Sequence, residues 1–171
     1  MVIIWDDKGM GMPVPYLSGL RLSDRRVVVV GAGRVAERRL DRLLESGAQI
    51  DVIAPEATET IAQLADEHRL RWIRRRFEPG DLAAAWYVLV ATADRACNEQ
   101  VSVEAESGRI FCVRADDRQQ ATAWTPAGGA ADGIQIGVLA GGDHRRSRRI
   151  RDRLVQALTK IIADDDDHRA A

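Results

Sequence analysis

Several groups of residues in this chain have the types and spacing to do chemistry. Val27-Val28-Val29-Val30-Gly31-Ala32-Gly33-Arg34-Val35-Ala36 is a β-branched run followed by Gly-x-Gly-x-x-Ala. Where such a run is a strand and the turn opens a helix, the first glycine makes the tight turn and the second lets backbone approach a pyrophosphate. The small third residue permits close packing of helix on strand, and the helix N-terminus stabilises phosphate charge. Gly31, Ala32 and Gly33 are therefore candidate cofactor-binding residues; a tight turn with no ligand is the plain alternative.

A dinucleotide site of this kind pairs the turn with an acidic residue about 20 residues on, at the end of the second strand, to hold the adenosine ribose. Asp51 has the better spacing but falls early in its strand. Glu56 follows Ala54-Pro55 at the strand's C-terminal edge, where open sheets bind ligands, and is the preferred candidate. An acid there, with no basic replacement, favours NAD over NADP; a solvated loop glutamate is the alternative. Ala91-Thr92-Ala93-Asp94 ends another apolar run. Thr92 is a candidate cofactor contact and Asp94 serves equally as a helix N-cap. Asp116-Asp117, in Asp-Asp-Arg-Gln, reads by itself as a turn. Arg145, Arg146, Arg148, Arg149 and Arg151 have planar forks that suit carboxylates, although a charge run is usually a solvated helix face.

The elements that position these groups follow from periodicity. Val27 to Val30 has the look of a strand buried on both faces of a parallel sheet. Val35 to Ser46 alternates at helical spacing and stops at Gly47. Ile50 to Ala54, Leu70 to Ile73, Trp86 to Ala91 and Ile110 to Val113 read as strands, with helices over Thr58 to Glu67 and Cys97 to Ser107. This alternation predicts an α/β fold, a Rossmann-like doubly wound parallel sheet, over 16–113, after a flexible leader at 1–15. Gln119-Gln120, Pro126, Gly128-Gly129 and Gly133 then break the texture. A second small module is expected over 114–147, with a strand from Ile134 to Leu139. A C-terminal helix follows over 148–163, and 164–171 reads as an acidic tail or linker.

Composition narrows the function. The 171 residues hold 25 Lys plus Arg against 26 Asp plus Glu, a net charge of −1, so nothing in the overall charge marks a binder of nucleic acid or membrane surface. The longest apolar stretch, Leu82 to Ala93, is too short to span a bilayer, and Asp6-Asp7 stand where a signal peptide needs a positive flank. Cys97 and Cys112 make no Cys-x-x-Cys pair, which fits a reducing cytoplasm. No His/Cys set has ligand spacing and His144 stands alone, so no stably bound metal is expected.

Over about residues 16 to 160 these motifs resemble the siroheme synthase family, in its precorrin-2 dehydrogenase and sirohydrochlorin ferrochelatase module. The resemblance rests on Tyr16-Leu-x-Gly-Leu, Val-Val-Val-Val-Gly-Ala-Gly-x-Val-Ala-x-Arg-Arg, Ala91-Thr-Ala-Asp, Arg109-Ile-Phe-Cys112, Ala115-Asp116, Thr125-Pro126-Ala127 and Gly141-Gly142, in the family's order. It implies that Arg34, Val35, Pro55 and Glu56 contact NAD and that Asp116 is the catalytic carboxylate. Two departures stand out. The family's Asn-Val-x-Asp is Val113-Arg114-Ala115-Asp116 here, and its Ser/Thr-rich segment after the double glycine is Asp143-His144-Arg145-Arg146.

The resemblance implies NAD-dependent oxidation of precorrin-2 to sirohydrochlorin, with Asp116 as the base, and ferrous iron insertion giving siroheme, with iron as substrate. Because the substrate carries eight carboxylates, Arg145, Arg146 and Arg148 become candidate substrate-binding residues. The resemblance makes 114–147 a dimerisation and active-site module, and the implied partners are a second copy of the chain in a homodimer and a separate or fused uroporphyrinogen methyltransferase. Two other functions fit the residues: a dehydrogenase that leaves chelation to another protein, and a noncatalytic NAD sensor whose Arg-rich helix binds a partner.

Overall fold

The computed structural model describes the backbone of residues 15–170 and the side chains of residues 15–165. All of the expected leader except Pro15 lies outside them. The chain divides into two compact units, Pro15–Trp124 and, among the described residues, Thr125 onward.

In the first unit β1 (Arg26–Val30), β2 (Gln49–Ile53), β3 (Arg71–Ile73), β4 (Tyr87–Val90) and β5 (Phe111–Arg114) form one sheet in the order β3-β2-β1-β4-β5, and every pair is parallel. Helices α1 (Arg34–Glu45), α2 (Glu59–Asp66) and α3 (Arg95–Ser107) make three of the four connections, and turns over 74–86 join β3 to β4. This is the expected doubly wound architecture. Because side chains alternate along a strand, β1 feeds two cores. Val27 and Val29 pack with Ala36 and Leu40 of α1 and Ile61 of α2, while Val28 and Val30 pack with Val101 and Ala105 of α3. All four valines are at most 1% exposed. At roughly 1.5–3 kcal/mol each, their burial outweighs the several kcal/mol needed to bring one paired carboxylate, Asp51, into the same sheet.

Loops are fixed by short-range hydrogen bonds. Thr58 caps α2 through Ile61 N, and Asp94 caps α3 through Ala96 N and Cys97 N. The first unit reaches Trp124 instead of ending at Val113. After β5 the chain folds back on that strand: Ala123 N donates to Cys112 O at 3.0 Å, and Cys112 N donates to Thr122 Oγ1 at 2.9 Å.

In the second unit β6 (Ala127–Ala131) and β7 (Ile134–Val138) form an antiparallel hairpin under α4 (His144–Ala170). Strand β6, Ala-Gly-Gly-Ala-Ala, is not foreseen by periodicity. Its signal is Asp132-Gly133, both at positive φ, the pair that a two-residue hairpin turn requires. A Cβ at Gly129 would run into Val155 and Arg151, so the small residues let α4 lie close to the strand. Helix α4 starts four residues before Arg148, because Asp143 accepts from Arg146 N and Ser147 Oγ donates to Asp143 O. It also continues through the expected acidic tail, since no Gly or Pro interrupts the chain between His144 and Ala170.

Candidate functional site

The order β3-β2-β1-β4-β5 reverses direction between β1 and β4, so a crevice opens at the C-terminal ends of those two strands. Gly31 and Gly33 sit at its floor. Gly31 has φ +99°, and a Cβ there would stand 2.6 Å from Ala91 O at the end of β4. Glycine is required at that position by the protein itself. Gly33 differs: its φ is −86°, any residue adopts that backbone, and a Cβ there would meet nothing within 4 Å. Among the described residues nothing demands glycine at 33. What the glycine leaves is bare backbone at the N-terminus of the 12-residue α1, with no side chain to take up its first-turn N–H groups.

The crevice walls are tied to this turn. Gly31 N donates to Ile53 O at 2.9 Å, Thr58 N donates to Ala32 O at 3.0 Å, and Ala91 N donates to Val30 O at 2.8 Å. Ala36 is fully buried, as the third position of the motif requires. Arg34 and Val35 are exposed on the first turn of α1; Pro55 and Glu56 are exposed just past β2. The bare turn at Gly31 to Val35 would fit a pyrophosphate, and Glu56 stands within the loop that follows β2.

Asp51 and Glu56, the two acidic candidates, have different surroundings. Asp51 is 7% exposed within β2 and is gripped by two arginines. Arg71 donates from Nε to Oδ1 at 2.8 Å and from Nη2 to Oδ2 at 2.6 Å, and Arg26 Nε donates to Oδ2 at 2.9 Å. That carboxylate joins three strands. Thr92 Oγ1 donates to Asn98 Oδ1 at 2.6 Å, and Asn98 Nδ2 returns a bond to Thr92 O at 3.1 Å, so the Thr92 hydroxyl already holds the β4–α3 turn.

Asp116 follows β5 on the same sheet edge, where Ala115 N donates to Val90 O at 2.9 Å. Its carboxylate is held at both oxygens by Arg114, Nε to Oδ1 at 3.0 Å and Nη2 to Oδ2 at 2.7 Å. The Arg114 side chain is 1% exposed and also donates to Glu99 Oε2 at 3.1 Å and to Ser102 Oγ at 3.4 Å. Hydrogen bonds from Arg114, aided by Asn98 and opposed by burial, hold the Asp116 carboxyl well below the usual carboxylate range. The same bonds raise Arg114 above the ordinary guanidinium value. A carboxylate so paired is a weak proton acceptor. Sequence reasoning missed Arg114, Glu99 and Ser102. The signal was the i, i+2 spacing of Arg114 and Asp116, which puts both on one side of an extended chain.

Arg145, Arg146 and Arg148 lie in the second unit, on the first turns of α4, with Arg145, Arg148 and Arg149 exposed. Arg151 is structural, since its Nη1 donates to Gly128 O at 2.7 Å and ties α4 to β6. Among the described residues no group of three or more His, Cys, Asp and Glu side chains is placed to hold a metal ion, and no helix is long and apolar enough to cross a membrane.

A parallel sheet with a bare glycine turn at its switch point defines a dinucleotide-binding protein. The family described as "Putative NAD(P)-binding" matches residues 19–127. Siroheme synthase 3 of Aeromonas hydrophila is 34% identical over 122 residues, 71% of this chain and 26% of that protein. A siroheme synthase of Neisseria meningitidis is 31% identical over 144 residues, 84% of this chain and 30% of that protein. The solved structure of SirC, precorrin-2 dehydrogenase, superposes with a TM-score of 0.75 at 27% identity, covering 84% of this chain and 71% of that one. The chain belongs to the "Putative NAD(P)-binding" family, and within it is similar to the siroheme synthases and to SirC. It spans about a quarter to a third of the length of these curated relatives.

Proposed function

We propose that this chain binds NAD at the Gly31–Val35 turn and oxidises precorrin-2 to sirohydrochlorin. The observation that carries this reading is Gly33, a glycine that the fold itself does not need, at a bare helix N-terminus on the sheet edge that also bears Asp116. The likeness to SirC, a precorrin-2 dehydrogenase, supplies the substrate. NAD bound there supplies the hydride acceptor.

The chain's own residues then have distinct roles. Backbone N–H groups of α1 meet the pyrophosphate, and Glu56 accepts from the adenosine ribose, which selects NAD over NADP. Thr92 shapes the nicotinamide end of the crevice while holding its turn. Asp116 presents a carboxylate to the macrocycle. Arg145, Arg146 and Arg148 bind substrate carboxylates in a homodimer. Ferrous iron insertion into sirohydrochlorin is the second activity proposed, supported by the siroheme synthase relatives, with iron as a substrate and the uroporphyrinogen methyltransferase step carried out elsewhere.

The test is incubation of purified protein with precorrin-2 and NAD, following NADH and sirohydrochlorin by absorbance. Ferrous iron is then added beside a protein-free control. Asp116→Ala should keep NAD affinity and slow oxidation on the order of 100-fold, the scale for losing a positioned proton acceptor or charge. NAD binding without oxidation would identify a sensor, and oxidation without accelerated chelation a dehydrogenase alone.

A further inference from the structure

We propose that Arg114 is a positioning residue that clamps the Asp116 carboxylate in one orientation as a fixed negative charge, so that Asp116 steadies positive charge on the macrocycle instead of accepting a proton. The inference rests on the dehydrogenase reading and deepens it. As the C–H electron pair departs with hydride to the nicotinamide ring, positive charge grows on precorrin-2. Loss of one proton to solvent then completes the balance: sirohydrochlorin, NADH and one proton from precorrin-2 and NAD.

The geometry carries this in three steps. First, both carboxylate oxygens of Asp116 accept from one planar guanidinium, at 3.0 and 2.7 Å, which fixes the plane of the carboxylate as well as its place. Secondly, the clamp cannot swing away cheaply. The Arg114 side chain is 1% exposed and braced by Glu99 and Ser102 of α3, so releasing Asp116 would leave a buried cation short of a partner. Thirdly, Asp116 stays 32% exposed, and so it keeps a face for substrate while its lone pairs toward Arg114 are taken. The groups facing it are Arg114 and Cys112 from β5 and Asn98 from α3, with Glu99 of α3 pairing on the far side of the Arg114 guanidinium. Of these, Arg114 alone is cationic. Protonating Asp116 would therefore remove the negative charge that strengthens both hydrogen bonds, and the lowered titration of this carboxyl agrees with that.

A base and a fixed charge respond oppositely to loss of the clamp. A base freed of Arg114 becomes stronger and reacts faster; a fixed charge loses its orientation and reacts more slowly. Arg114→Met, Arg114→Lys and wild type are compared in two measurements on protein whose fold is checked by circular dichroism. The first follows the Asp116 carboxyl carbon by NMR in 13C-aspartate-labelled protein without cofactor, assigned with Asp116→Asn. Between about pH 7 and pH 3 the wild-type resonance should not move, whereas in Arg114→Met it should titrate at or above the ordinary value of about 4. The second is single-turnover NADH formation from precorrin-2 at about pH 7, where Arg114→Met should be roughly 10-fold slower, with an acid limb absent from wild type, and Arg114→Lys should recover part of the rate. Equal or faster turnover in Arg114→Met makes Asp116 a base and overturns the proposal, as does a wild-type resonance titrating near 4. Should Arg114→Met not fold, the wild-type titration and Arg114→Lys decide. A wild type that forms no NADH sinks the dehydrogenase reading, and the carboxyl titration still judges the clamp.

Discussion

At the end of β1 the chain presents backbone and almost nothing else: Gly31, Ala32, Gly33, and the first N–H groups of α1. At the end of β5, two strands away on the same edge, it presents charges that are already paired, Asp116 on Arg114 and Arg114 on Glu99. The first region leaves the opening N–H groups of α1 without a side-chain cap. The second uses most of its hydrogen-bonding capacity internally and retains one exposed carboxylate face. The contrast follows from what each is proposed to meet. A pyrophosphate needs close approach and several donors, which side chains would obstruct. A reacting macrocycle needs one charge whose position does not drift, and a buried clamp supplies that.

The contrast breaks most visibly at Gly33. Gly33→Val places a branched side chain where a Cβ would meet nothing of the protein, at a φ valine readily adopts. The fold should survive with a loss of about 1 kcal/mol or less, reflecting the poorer helix cap. NAD affinity should fall about 100-fold or more, the equivalent of two charged hydrogen bonds at roughly 1.5–3 kcal/mol each. Calorimetric titration with NAD checks this. Unchanged affinity in a folded Gly33→Val protein would mean that the bare turn is only a turn.

A smaller, crossed effect separates the two acids of β2 and its loop. Asp51→Ala leaves Arg26 and Arg71 facing each other without their shared anion, and should cost about 1–3 kcal/mol of stability, reduced by the 66% exposure of the Arg71 side chain. NAD affinity should hold. Glu56→Gln should do the reverse, with stability unchanged and NAD affinity lowered about 10-fold as the ribose contact weakens. Urea denaturation and calorimetry on both variants give four numbers. If both losses fall on Asp51→Ala, the ribose acid is not Glu56.

Much of this is visible in the sequence, and the parts that are not share a cause. Val27 to Val30, the turn after it and the helix cap at Asp94 are local signals: a continuous β-branched run, a glycine pattern, an acid before a helix. Asp51 also looks local, a plausible ribose ligand by spacing. Only the pairing of Asp51 with Arg71 on β3 and the diagonal reach of Arg26 from β1 show that it lies between two arginines. The Arg114 clamp needs the same kind of knowledge, since Glu99 and Ser102 come from a helix whose packing on β5 no periodicity reveals. Strand β6 escapes because Ala-Gly-Gly-Ala-Ala has neither alternation nor β propensity. Its pairing with β7 and the close approach of α4 make it a strand.

The smallest effect is expected at Asp94, and it tests whether a polar residue at the crevice edge need belong to the ligand. Asp94 Oδ1 accepts from Ala96 N at 3.0 Å and from Cys97 N at 3.1 Å, which satisfies two of the donors that open α3. Its other oxygen is 3.8 Å from Arg76 Nη1, a pair between exposed side chains that adds little. Asp94→Ala should therefore cost about 1 kcal/mol, the usual value of a helix cap, and lower the melting temperature by roughly 2–4 °C. Asp94→Asn should recover most of the loss, because asparagine caps as well as aspartate while carrying no charge. NAD affinity should stay within about twofold in both, because the acceptor oxygen is already taken by the first N–H groups of α3. An affinity loss larger than the stability loss, in Asp94→Ala and Asp94→Asn alike, would show the carboxylate serving the ligand directly and would extend the site from β1 and β4 onto the start of α3.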